Sequence, residues 1–223
     1  MTSSPDRRPL PTLELVLPDD WHRISADPQR APAQIDAFLR AVYSGFSRDR
    51  TAHIRRALRG DLLAQVSDAA EAHAVEMLLC TMEVAGRPLS ASGLVSLQPV
   101  DISRTEIREA FLDGVSEPGL IAKEPVEFAW GTGAAVIYDR EHRSPVESAT
   151  LSFIRAQDWY ADVDDAARSA LTDMTGWSRH VDVHVPVPGT DATLLLAFST
   201  SVRPAADALG RLFLAIASTV RFS

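Results

Sequence analysis

Apolar residues change their spacing several times along this chain, and each change marks an element. Leu13 to Leu17 and Trp21 to Ile24 are short apolar runs separated by Pro18-Asp19-Asp20, a turn-forming tripeptide, and together they read as a hairpin. From Ile35 the period shifts. Ile35, Phe38, Leu39, Val42, Tyr43 and Phe46 recur every three or four residues and line one face of a helix. A second helix is predicted from Asp49 to Ala72, with Ile54, Leu58, Leu62 and Val66 at four-residue steps; Gly60 weakens its middle by roughly 1 kcal/mol relative to alanine. Ala74 to Val84 and Leu89 to Leu97 are strand-like and flank Ala85-Gly86-Arg87-Pro88, which predicts local pairing. Ser103-Arg104-Thr105-Glu106 matches a capping box ahead of a short helix to Asp113, with Ile107, Ala110 and Phe111 as its apolar face and Gly114 as its terminator.

Beyond that helix the pattern is mainly extended. Pro125 to Trp130 and Ala134 to Tyr138 are predicted strands around Gly131-Thr132-Gly133. In Ser144 to Gly176, Leu151, Phe153 and Ile154 suit a strand, Asp164 to Met174 suits a short helix, and Trp159-Tyr160 lies between them. Val181, Val183 and Val185 alternate with polar residues, and Ala192 to Phe198 reads as a buried strand. Pro204 then suits the first turn of a helix whose inner face is Leu209, Leu212, Phe213 and Ile216. Thr219 to Phe222 closes the chain as a strand expected to join the sheet. Strands that do not alternate regularly with helices favour an α+β fold with an antiparallel sheet flanked by helices.

The 223 residues fit a single domain over 13–223 behind a flexible tail, 1–12, with a helical elaboration at 30–72 and an insertion-like segment at 144–176. A net charge of −8 opposes nucleic acid, so none is expected as a partner. The polar, proline-rich start and the short Leu13 to Leu17 run predict neither a signal peptide nor membrane insertion. Cys80 has no second cysteine to pair with and lies in the apolar run Met77-Leu78-Leu79, so it is expected to be a buried core residue in a cytoplasmic protein.

Three stretches carry a resemblance. Val185-Pro186-Val187-Pro188-Gly189, Leu194 to Thr200 and Leu212 to Val220 look like the C-terminal half of actinobacterial proteins with a PsbP-like fold, and Leu17-Pro18-Asp19-Asp20-Trp21 is similar to that family's early strand-turn-tryptophan signature. The fold is shared with Ran-binding Mog proteins and with mycobacterial lipoproteins of the LpqN type. The resemblance implies an α/β/α sandwich with a helical insertion, used mostly as a non-enzymatic binding or assembly module. It carries no functional residue across.

The sharpest polar constellation is His180-Val181-Asp182-Val183-His184. Residues two apart share a strand face, so His180, Asp182 and His184 project together, as ligands for zinc or another divalent ion, as a base with its orienter, or simply as the wet face of an amphipathic strand. Wet-face alternation is the expectation, with no metal. Asp158, Asp162, Asp164 and Asp165 lack the glycine and glutamate of a calcium loop. Gly131-Thr132-Gly133 lacks the spacing and the lysine of a phosphate loop, and there is no Gly-x-Ser-x-Gly elbow. No motif calls for a cofactor. Trp159 and Tyr160, beside Asp158 and Asp162, either pack into the core or, where exposed, form the candidate surface for a protein partner. The leading expectation is a non-catalytic protein-interaction or assembly factor. A small-molecule binder using a sheet-helix cleft is the alternative, and a metal-dependent enzyme built on His180, Asp182 and His184 is a third reading.

Overall fold

The structure is a computed structural model that describes residues 12–45, 48–84, 87–143 and 175–223. Its frame is a seven-stranded, wholly antiparallel sheet in the order β2-β3-β6-β10-β9-β8-β7. The strands are β2 (Trp21–Ser25), β3 (Ala74–Cys80), β6 (Ala91–Gln98), β7 (Leu120–Phe128), β8 (Gly131–Arg143), β9 (Thr175–Pro186) and β10 (Thr193–Thr200). Chain neighbours pair throughout except at one crossover. After β6 the chain passes through α3 (Thr105–Gly114) to the far edge, and three hairpin steps then bring β10 back beside β6. The α+β, antiparallel expectation is met.

Strand parity divides the core. Val181, Val183, Val185, Leu194, Leu196, Phe198, Val95 and Leu78 face one side, and α4 (Ala206–Ser218) covers them with Leu209, Phe213 and Ile216. Each such side chain contributes about 1.5–3 kcal/mol when fully buried. Phe198 stacks on Phe213 at 4.9 Å, and Trp21 meets both rings edge-on at 6.1 Å. Gly93 has no Cβ because Phe198 Cδ1 lies 2.8 Å from where one would be. The other face carries Ile24 and Met77, covered by α1 (Ala31–Val42) and α2 (Arg48–Glu71) through Ile35, Leu39 and Val66. Leu58 remains exposed, whereas Leu62 and Val66 of the same stripe pack on this cluster. Helices on both faces make three layers.

Several expectations need correction. β1 (Leu13–Glu14) forms no hairpin with β2; it pairs with β11 (Arg221–Phe222) in a separate two-stranded ribbon, so the chain's last strand does not join the sheet. The Pro18 turn is present, with the Trp21 amide bonded to the Pro18 carbonyl at 3.0 Å. It redirects the chain from Leu15, which is buried in the α4 core, onto the sheet. The capping box is not formed either. α3 begins at Thr105 with Arg104 as its cap and no side-chain cap bond. The buried residue of α3 is Arg108, whose Nη1 donates to the carbonyls of Ile102, Ser103 and Thr132 at 3.2–3.3 Å. That clamp fixes Ser103 ahead of the helix and displaces the cap. Cys80 is only half-buried, and burial raises its thiol pKa. The Ala74 to Leu97 pairing is present, with β4 (Glu83–Val84) and β5 (Arg87–Pro88) extending the hairpin formed by β3 and β6.

Candidate functional site

β9 gives its two faces to different uses. Its valines lie under α4, so Ser178, His180, Asp182 and His184 face the opposite side, where each is engaged by neighbours. His180 stacks flat on Tyr138 at 4.9 Å, and its Nε2 lies 2.8 Å from Ser178 Oγ. The Tyr138 hydroxyl donates to Asp182 Oδ2 at 3.1 Å. The His184 ring meets Phe111 of α3 at 4.6 Å.

This row is not the solvent-washed face that alternation predicts. Burial pushes the Asp182 carboxyl up to about 6, burial and then the Asp182 charge push the Tyr138 hydroxyl up to about 12, and burial lowers His184 to about 4. The three side chains turn to separate partners, His180 to Ser178 and Tyr138, Asp182 to Tyr138 and His184 to Phe111. Among the described residues no group of three His, Cys, Asp or Glu side chains is arranged to hold a metal.

On the valine face, β9 extends past α4 to a different chemistry. Trp177 and Arg179 line a pocket of about 540 Å³ with Asp139 and Glu141 of β8, with Arg203 of the 3-10 turn Arg203–Ala205 and with Asp207 in the first turn of α4. Arg179 joins these elements: its Nε and Nη2 donate to Asp139, and its Nη1 donates to Asp207 at 2.8 Å. Both carboxylates hold its guanidinium firmly charged. The Arg203 guanidinium carbon lies 4.9 Å from the Trp177 ring centre and that of Arg179 lies 5.8 Å away. Arg203 also reaches Glu141 at 3.4 Å. Gly119 forms part of the wall because its backbone packs on β8, with the Asp139 carbonyl oxygen 1.9 Å from where a Cβ would stand. The lining holds three carboxylates against two guanidinium groups, which leaves one negative charge in surplus.

Comparison with known protein families, curated proteins and solved structures finds no match to this chain.

Asp158, Trp159, Tyr160 and Asp162, together with the strand and helix expected in 151–174, lie outside the described residues. His180, Asp182 and His184 are on one face as expected but engaged pairwise. Sequence reading missed Trp177, Arg179 and Arg203. The signal was available for the first two: continuing the alternation of Val181, Val183 and Val185 backwards places Arg179 and Trp177 on the same face. Arg203 reaches them from 24 to 26 residues away along the chain, which no local pattern encodes.

Proposed function

We propose that the protein is a non-catalytic interaction or assembly module of the cytoplasm, docking a basic segment of a protein partner in the pocket around Trp177. The observation that carries this reading is the pairing of an indole with a surplus carboxylate in one open pocket. Tryptophan and arginine are the residues on which binding energy concentrates in interfaces. The indole face accepts cations, as its arginine neighbours illustrate, and a lysine or arginine of the partner balances the one negative charge by which Asp139, Glu141 and Asp207 exceed Arg179 and Arg203. The net charge of −8 steers basic partners and repels nucleic acid. No helix among the described residues is long and apolar enough to cross a membrane.

The test is calorimetric titration with two short peptides, one alternating arginine with leucine and one alternating glutamate with leucine. The arginine peptide should bind, weaken with added salt, and lose about tenfold in affinity on Trp177→Ala or on Glu141→Gln combined with Asp207→Asn. Equal binding of the glutamate peptide, or a folded Trp177→Ala variant with unchanged affinity, would remove the reading.

A further inference from the structure

At the opposite end of the sheet a second pocket, of about 370 Å³, has the reverse character. Leu97 and Leu194 are cross-strand partners at the end of β6 and β10, and with Val187 they give the pocket an apolar floor. The β1–β11 ribbon closes one side with Leu13 and Phe222, tied at its end by reciprocal Thr12–Ser223 backbone bonds of 2.8 and 3.1 Å. The polar rim is Arg23, Arg30 and Glu76. Arg23 directs Nε and Nη2 to the single oxygen Oε2 of Glu76, at 2.9 and 2.6 Å, and so neutralises it. Arg30 lines the same pocket and makes no side-chain hydrogen bond or ion pair among the described residues. The lining therefore carries one positive charge in surplus, above an apolar floor, on a chain whose net charge is −8.

From this geometry we propose that the pocket binds a small amphipathic anion, with an acyl or alkyl body on Leu97, Val187 and Leu194 and a carboxylate or phosphate head on Arg30 and Arg23. Small-molecule sites are concave, mostly apolar and oriented by a few polar groups, with volumes of roughly 300–1,000 Å³. A planar guanidinium with unused donors is the group best suited to a carboxylate or phosphate. The floor is preformed from core residues, Val187 and Leu194 each being only 4% exposed, so binding need not reorder it. This site is independent of the Trp177 pocket and stands if that reading fails.

Four eight-carbon probes test it: octanoate, octyl phosphate, octylamine and octanol. The anions should raise the melting temperature and shift the amide resonances of Ser25, Val75, Leu97 and Leu194. Octylamine should not, and octanol should bind more weakly than either anion. A larger effect of octanoate identifies a carboxylate head, and a larger effect of octyl phosphate identifies a phosphate head. Arg30→Gln changes an exposed residue and should leave the unliganded protein folded, while weakening both anions about tenfold through loss of one charge-assisted hydrogen bond. Octylamine binding as well as octanoate, anion affinity unaffected by Arg30→Gln, or resonance shifts elsewhere in the protein would each overturn the proposal.

Discussion

Replacing Asp182 with asparagine should stabilise the protein at pH 8 and change little near pH 4. In the fold, burial moves the Asp182 carboxyl from its ordinary 3.8 up to about 6. A raised carboxyl pKa means that the native state holds the proton more tightly than the unfolded chain does. Stability therefore falls as pH rises from about 4 to about 6, and the full cost, on the order of 3 kcal/mol, is present above that window. The asparagine carries no charge, and its side-chain carbonyl can still accept the Tyr138 hydroxyl that Asp182 accepts at 3.1 Å. For a chain of this length 1 kcal/mol moves Tm by about 2–4 °C, so Asp182→Asn should melt roughly 6–12 °C higher than the parent at pH 8. His184 has the opposite sign. Burial lowers it from 6.5 to about 4, so the unfolded chain takes up the proton first and stability is lost as pH falls between those values. The two opposing slopes nearly cancel in the parent, and Asp182→Asn should expose the histidine slope alone. Thermal and urea melts from pH 4 to 8 read this directly. A difference between parent and variant that is the same at every pH would refute the burial assigned to Asp182.

Arg108→Ala should cost about 2–4 kcal/mol, because it leaves the carbonyls of Ile102, Ser103 and Thr132 without their shared donor and frees α3 from the start of β8; urea melts check the size, and a loss below about 0.5 kcal/mol would show the clamp to be incidental. His73, in the turn that follows α2, has φ of 63°, a left-handed conformation that glycine adopts without strain, so His73→Gly should gain about 0.5–1 kcal/mol in the same assay.

How much of this was legible in the sequence differs by element. α4 was readable because Leu209, Phe213 and Ile216 keep helical spacing, and β9 because Val181, Val183 and Val185 alternate. Both signals are local. The β1–β11 ribbon was not readable, since pairing Leu13 with Phe222 brings together the two ends of the chain and turn chemistry at Pro18 suggests a nearer partner. The capping box failed for a similar reason: Arg108 reaches back for two carbonyls, a contact that overrides the Ser103 and Glu106 pattern. At the candidate site, parity encodes the shared face of Trp177 and Arg179, whereas the surplus charge depends on Asp139, Asp207 and Arg203 arriving from separate elements. His180, Asp182 and His184 attracted attention by their composition, yet tertiary contacts with Tyr138 and Phe111 decide what they do.

Docking of a basic segment at Trp177 is tested most directly by following the indole N–H resonances of the four tryptophans while the arginine-leucine peptide is added. The Trp177 signal, assigned by its disappearance in Trp177→Phe, should move progressively and saturate, while that of Trp21, buried against Phe198 and Phe213, stays fixed. Binding that leaves the Trp177 signal in place would contradict the assignment of this pocket as the docking site.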